Sequence, residues 1–217
     1  MVYISLEIWY NISNAKFQGF FTMNLFVLSL DPVEAAQMQC DKHVPKMIVE
    51  SGQMLSTAHR MLDGQLTKRP SKSGKTMVKY WDLYLGADDL EAELLYYKAV
   101  HAGHPCTVWT MESTSNYRWH WEHMKALCDE YTYRYSTEKD PYKTHKTQRE
   151  LLWPLQSPPR NIPEGPMTPF KLAMKSNPEC IALVDPVKAY RAFYQTKQAR
   201  FKMVWTKREQ PEWFIHA

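Results

Sequence analysis

Tyr117, Trp121, Met124, Cys128, Tyr131 and Tyr135 recur at alternating spacings of four and three residues, a seam that only a long α-helix turns into one continuous face. A chain carrying that seam must supply a surface to cover it, and the composition says of which kind. Aromatic residues are 13% of the 217, with 8 Trp and 13 Tyr, while glycine numbers only 7. Such a chain has much to bury and little of the turn chemistry that many short strands demand, so helix-on-helix packing is expected. At 44% hydrophobic and 23% charged it is neither disordered nor fibrous. No apolar run approaches the ~18 residues of a membrane span, and the start of the chain is too interrupted for a signal-peptide core. The expectation is a soluble, cytoplasmic protein with no membrane partner.

Local signals divide the chain. Residues 1–22 differ in texture from the rest and are read as an N-terminal extension, because Met23 opens a stretch that reads like a native protein start. Residues 23–217 are expected to form a mainly α, single compact helical domain, with at most a small strand pair contributed by the N-terminus. Asn24–Leu30 is a short apolar run of strand type, succeeded by Asp31-Pro32 with Glu34, a cap, a proline at the first helical position and a capping-box acid. A helix is predicted from there to about Cys40; Pro45 then marks either a kink or a second start with Asp41 near the cap, and the pattern continues to about Leu62, its buried stripe made of Met47, Met54, Ala58 and Met61. Asp88–Val100 has a helical period, and His104-Pro105 is expected to initiate the long seam helix. Asp185-Pro186 repeats the cap-then-proline signal and opens a last helix to about Met203. Five prolines between Ser157 and Pro169 predict an extended crossing, and Trp213 and Phe214 are expected to pin the tail to the body. Cys40, Cys106, Cys128 and Cys180 lack paired spacing and read as buried thiols.

The net charge of +4 hides an asymmetry. Lys68, Arg69, Lys72, Lys75 and Lys79 fall in a segment, 64–80, that has no acid. Lys188, Arg191, Lys197, Arg200, Lys202, Lys207 and Arg208 fall in another, 186–208. With twelve of the 27 basic residues in these runs, the rest of the chain is acidic by eight. The second run interleaves its cations with Tyr190, Phe193, Tyr194, Phe201 and Trp205, a mixture suited to packing on one face and meeting phosphates with the other. A polyanion, DNA first, is the expected partner. The SGKT of the first run is not a phosphate-binding loop, because Arg69 stands where the motif needs glycine; the segment reads as an exposed loop or hairpin.

Two polar groups are candidates for chemistry. His43, Lys46, Glu50, Gln53, Thr57 and Arg60 are spaced by three and four, a polar stripe opposite the methionines. An ordinary solvated face has the same period, but it favours Lys and Glu over a His, Gln and Thr series. If a cleft covers the stripe, Glu50 is the natural acid or base, with His43, Lys46 and Gln53 around it, and Lys46 or Lys42 offers an amine for covalent attack. His104, Ser113 and Asn116, near His101, Trp109 and Tyr117, form a second group at the start of the seam helix, for which caps and backbone bonds are the plainer explanation. A zinc site from His120, His123, Cys128, Cys106 and His104 lacks paired ligands. No metal and no cofactor are expected.

The run MNLFVLSLDPVEAAQMQCDKHVPKMIVESGQML, with HPCTVWTMESTSNYRW, EYTYRY, NIPEGPMTPF and TKREQPEWF, resembles a family of phage-encoded proteins without an assigned function. The Asp-x-His-x6-Glu segment of Asp41, His43 and Glu50 resembles that of phage pyrimidine-dimer DNA glycosylases of the endonuclease V type. That second resemblance implies a helical enzyme that flips nucleotides out of damaged duplex DNA and attacks the sugar C1′ with an N-terminal α-amine. Glu50 would be its glutamate, and His43 would belong to the DNA-binding surface. The 22 residues ahead of Met23 displace that amine, which makes Lys42 or Lys46 the substitute. The expectation is therefore a DNA glycosylase or lyase acting on damaged or modified bases in an infected bacterial host. A non-catalytic nucleic-acid-binding protein and an enzyme of free nucleotides or modified bases are the alternatives.

Overall fold

The computed structural model describes residues 23–83 and 93–216; the expected N-terminal extension, 1–22, and the first part of the expected helix Asp88–Val100 lie outside them. Within the described residues the chain is largely helical, with one two-stranded antiparallel sheet. Asp31 accepts from the amides of Val33 and Glu34 and starts α1, Pro32–Gln37, with proline at its first turn. The long helix α2, His43–Asp63, comes next. Strands β1, Gln65–Pro70, and β2, Met77–Asp82, form a hairpin. Residues 93–95 are helical, while 96–100 are not.

The single seam helix expected after His104 is instead two. Ser113 is extended (φ −156°, ψ 159°), ends α3, Pro105–Glu112, and caps α4, Thr114–Tyr135. The break has a physical cause: the amide of Thr114 donates to the carbonyl of Pro163 at 2.9 Å, so the proline-rich crossing is bonded into the junction. Three shorter helices complete the set: α5, Lys146–Leu151, α6, Pro178–Ile181, and α7, Pro186–Gln195, the last capped by Asp185. The last helix also ends earlier than expected, passing into a 3-10 turn, Thr196–Ala199.

α2 packs against α3, α4 and α5, while α4 also covers α1. Burial therefore surrounds α2 instead of stopping at one stripe. Met47, Met54 and Ala58 are fully buried, and so are Ser51, Ser56 and Thr57 on other faces. A connected hydrophobic cluster takes in residues from Met23 to Phe214, Trp205 and Phe214 among them, and Trp213 packs against it, so the tail is pinned as expected. All four cysteines are free and buried. Among the described residues no helix is long and apolar enough to cross a membrane.

The strand pair expected from the N-terminus does not form there, while the basic 64–80 segment forms the hairpin that was one of its two expected forms. Met23–Leu28 is buried but joins no ladder, because helices cover it and side chains satisfy its backbone. The Leu25 amide donates to Asn24 Oδ1 at 2.8 Å, and the Leu28 carbonyl accepts from Arg191 Nε at 2.9 Å. The observed hairpin occupies the basic 64–80 segment, where Gly74 takes φ +71° in the turn.

Gly52 marks a close approach to α2. A Cβ there would lie 2.9 Å from Thr147 Cγ2 and 3.3 Å from Tyr97 Cε2, and Thr147 Oγ1 and Tyr97 Oη are themselves bonded at 2.9 Å. Gly52→Ala is expected to destabilise by about 1 kcal/mol, overpacking of about 1–3 kcal/mol outweighing a helix-propensity gain of roughly 0.8–1. Denaturant titration checks this, and an unchanged or raised midpoint at constant slope would show that Thr147 yields without cost.

Candidate functional site

Glu50 lies about two turns into α2, where the buried segment beginning at Met23 crosses the helix. Its Oε2 accepts from the backbone nitrogen of Asn24 at 3.0 Å, and its Oε1 meets Lys46 Nζ, one turn earlier, at 2.7 Å. Burial raises the Glu50 pKa, while Lys46, the Asn24 amide and His101 pull it back. His101 holds a left-handed backbone, φ 49°, a conformation that histidine tolerates better than most residues. The carboxylate is thus held by an amide on one oxygen and meets on the other the Lys46 nitrogen, a group with which it can exchange a proton.

The groups behind Asn24 fix its position. Its Nδ2 donates to the Ala173 carbonyl at 3.1 Å, and Cys106 Sγ lies 3.9 Å from its Oδ1. The Tyr190 hydroxyl, 3.7 Å from the same sulfur, donates to the Lys171 carbonyl at 2.8 Å. Burial pushes the Cys106 thiol up to about 12, so it is a packing group and not a thiolate nucleophile.

His43 is 5% exposed and stands apart from this carboxylate. It stacks on Phe26 at 4.9 Å and meets Phe201 edge-on at 5.4 Å. Its Nδ1 lies 2.7 Å from the Tyr194 hydroxyl, which also accepts the Cys40 amide at 2.9 Å. Burial, with Lys46 and Lys197 nearby, brings the His43 pKa down to about 3. The expected place for His43 on a DNA-binding surface does not hold, because aromatic side chains enclose the ring.

The rest of the stripe separates by role. Gln53 is half-buried, its carbonyl accepting from the Thr57 hydroxyl at 2.7 Å. Arg60 donates to the carbonyls of Tyr97, Trp81 and Tyr96 at 2.7–2.9 Å and pairs with Glu93 at 2.7 Å, anchoring the hairpin and residues 93–97. Asp41 accepts from the amide and hydroxyl of Thr206 and from Arg134. Of the Asp-x-His-x6-Glu residues, Glu50 alone faces an amine-bearing group. Lys42 is exposed over the Phe201 ring at 4.8 Å, so Lys46 is the lysine of the pair that reaches Glu50.

The second polar group serves local structure. His104 Nδ1 accepts the Cys106 amide as the α3 cap, and Ser113 caps α4. Asn116 is fully buried, donating to the Trp109 carbonyl and to Thr168 Oγ1 at 2.7 Å each while accepting the Thr168 amide. Among the described residues no three His, Cys, Asp or Glu side chains gather as a metal site. His120 bonds Thr110, and His123 bonds Gln39.

The basic runs are used unevenly. Lys68, Arg69, Lys72, Lys75 and Lys79 are exposed along the hairpin, and Lys188, Arg200 and Lys202 are exposed in the second run. Arg191 is bound to the Leu28 carbonyl, Lys207 Nζ donates to the carbonyls of Tyr133 and Ser136, and Arg208 clasps Glu130 at 2.5 Å. Lys197 is 9% exposed, its Nζ 3.4 Å from the Phe193 ring centroid. Burial, with Arg200 and Lys46, takes its pKa down to about 8. Sequence spacing counted Lys197 as a phosphate contact; its place among Phe193, Phe201 and Trp205 was the signal that it is an inward-facing amine. Compared with protein-family models, curated proteins and solved structures, the chain matches none.

Proposed function

We propose that this chain is a single compact helical domain that processes duplex DNA as a glycosylase or lyase, with Glu50 as the proton-transfer group beside an attacking amine. The observation that carries the reading is the 3.0 Å contact between the Asn24 backbone nitrogen and Glu50 Oε2. A chain whose first residue is Asn24 would hold an α-amine at that position, which is what the resemblance to the dimer glycosylases implies. In the chain as written that nitrogen is an amide and not a nucleophile, and Lys46, on the other carboxylate oxygen, is the amine in reach.

The pair defines the chemistry. The amine nitrogen bonds to C1′ as the C1′–N bond to the base breaks; the base leaves with the bonding electrons and takes a proton. The nitrogen passes its proton to Glu50, which returns it to the sugar ring oxygen as the C1′–O4′ bond opens to give the iminium, and water later adds to C1′ and releases the amine. The raised Glu50 pKa suits a carboxyl that both accepts and returns a proton. The exposed cations of the two basic runs support a polyanionic partner. Such an enzyme would act in the cytoplasm of a phage-infected bacterium.

Borohydride trapping on duplex DNA carrying an abasic site or a pyrimidine dimer tests this, with the full chain, a chain beginning at Asn24, and Glu50→Gln in each. The expected result is a covalent adduct, mapped by mass spectrometry to the Asn24 nitrogen in the shortened chain or to Lys46 in the full one, formed about 100-fold or more slowly in Glu50→Gln. An adduct that forms equally well in Glu50→Gln removes the carboxylate from the reaction. No adduct, alongside salt-sensitive binding, replaces the enzyme with a binding protein.

A further inference from the structure

The hairpin register divides its side chains into two unlike faces. Leu66 pairs with Trp81, Lys68 with Lys79 and Pro70 with Met77 on one face; Gln65 with Asp82, Thr67 with Tyr80 and Arg69 with Val78 on the other. The second face is satisfied internally. Asp82 accepts from Thr67 Oγ1 at 2.7 Å and pairs with Arg69, whose guanidinium lies 5.2 Å over the Tyr80 ring.

The first face is not. Lys68 and Lys79 stand directly opposite one another, a like-charge cross-strand pair that weakens a hairpin. Among the described residues neither makes an ion pair, and no acid occurs between Gly64 and Tyr80. Beside them Met77 is 61% and Leu66 49% exposed. A two-stranded ribbon is marginally stable alone in water, so opposed lysines flanked by bare apolar side chains are a costly surface unless a polyanion with apolar edges covers them.

We propose that this face of the ribbon docks in the major groove of duplex DNA, with Lys68 and Lys79 on the flanking phosphates and Met77 and Leu66 against base edges. A two-stranded ribbon fits that groove, which is about 12 Å wide, and two opposed cations suit the phosphates at its edges. The ribbon is firmly rooted, since the buried Arg60 donates to the Trp81 carbonyl at 2.9 Å from the last turn of α2. Fourteen residues separate Glu50 from Gly64, which at 1.5 Å per residue sets the base of the ribbon about 20 Å from the carboxylate along the helix, roughly six base pairs at 3.4 Å each. The ribbon therefore grips flanking duplex and not the reacting nucleotide. This inference rests on the DNA reading of the protein but not on the lyase chemistry.

Fluorescence anisotropy with undamaged duplex over a series of salt concentrations tests it, using the full chain, Lys68→Ala/Lys79→Ala, Arg69→Ala and Met77→Ala, each checked for native circular dichroism. The double lysine variant is expected to bind at least 10-fold more weakly and to lower the slope of log K against log salt by about two. Met77→Ala should weaken binding several-fold with the slope unchanged, and Arg69→Ala should weaken it far less than the double lysine variant does. An unaltered slope in the double variant, equal losses from Arg69→Ala, or a preference for single strands overturns the ribbon docking while leaving the trapping result untouched. Absence of any duplex binding by the unmodified protein overturns both this inference and the reading on which it rests.

Discussion

Arg134→Ala is expected to cost about 3–5 kcal/mol, the range for removing one partner of a buried ion pair. The Arg134 side chain is fully buried and each of its three nitrogens is bonded: Nε on Glu130 at 2.9 Å, Nη1 on the Gln39 carbonyl at 2.7 Å and Asp41 at 3.1 Å, Nη2 on the Gln37 carbonyl at 2.8 Å. It thereby satisfies carbonyls at the end of α1 and ties the approach to α2 onto α4. Without it, those carbonyls lose this donor and the 4%-exposed Glu130 side chain keeps only Arg208 as a charged partner. Lysine should not rescue, because one ammonium cannot reproduce the planar fork. For a chain of this size the melting temperature should fall by roughly 2–4 °C per kcal/mol. Glu130→Met/Arg134→Met should recover part of the loss, since both buried charges go together while the partly exposed Arg208 turns to water. An Arg134→Ala variant within about 1 kcal/mol of the parent would mean that water reaches the site and replaces the guanidinium.

Between pH 7 and pH 5 the protein should lose several kcal/mol of stability. Burial lowers the pKa of His43, His120 and His123 to about 3 and of His59 to about 4. In the unfolded chain each returns to about 6.5. A group whose folded pKa is depressed favours folding fully above its unfolded value, and that contribution is lost as pH falls through 6.5 toward the folded pKa. Each ring costs on the order of 1–2 kcal/mol at pH 5, where the unfolded chain is protonated and the folded one is not. Burial is the leading cause at each ring, and at His59 the Asp63 carboxylate and a bond to Ser157 oppose it, so that ring is the least depressed. Glu50 acts oppositely, since its raised pKa makes proton uptake favour the folded state as pH falls from the raised value to the ordinary carboxylate range, below which it adds nothing further. Chemical denaturation at pH 7, 6 and 5 reads the effect, and His123→Gln should remove about one proton from the slope. A stability independent of pH over this range would show that water or a rearranged partner lets the rings charge in place.

The elements that sequence reading located well are those built from near neighbours. Asp31 and Asp185 bond amides two or three residues ahead, so cap and proline together marked both helix starts. The seam from Tyr117 to Tyr135 was legible for the same reason, as was the proline-rich crossing. The break at Ser113 was not, because its cause, the Pro163 carbonyl, lies fifty residues away. The N-terminal apolar run misled for a related reason: a continuous hydrophobic segment has the composition of a buried strand whether or not a partner strand exists.

Charge was the least legible property. Lys207 and Arg208 look like phosphate contacts in a run without acids, yet their partners are Tyr133, Ser136 and Glu130, more than seventy residues earlier. Likewise the stripe on α2 had the period of a solvated face, and whether it was covered depended on α3, α4 and α5.

The chain's own order of residues therefore determined its helical class, its capped helix starts, its buried thiols and the basic character of the hairpin, since each depends on contacts within a few residues or on composition. Tertiary structure alone brought the Asn24 nitrogen to Glu50 across 26 residues, enclosed His43, turned Lys197 inward and set Lys68 opposite Lys79 while pairing Arg69 with Asp82. A side chain's type limits which bonds it can make, but which partner it meets, and whether water is there to compete, is decided by packing between distant segments.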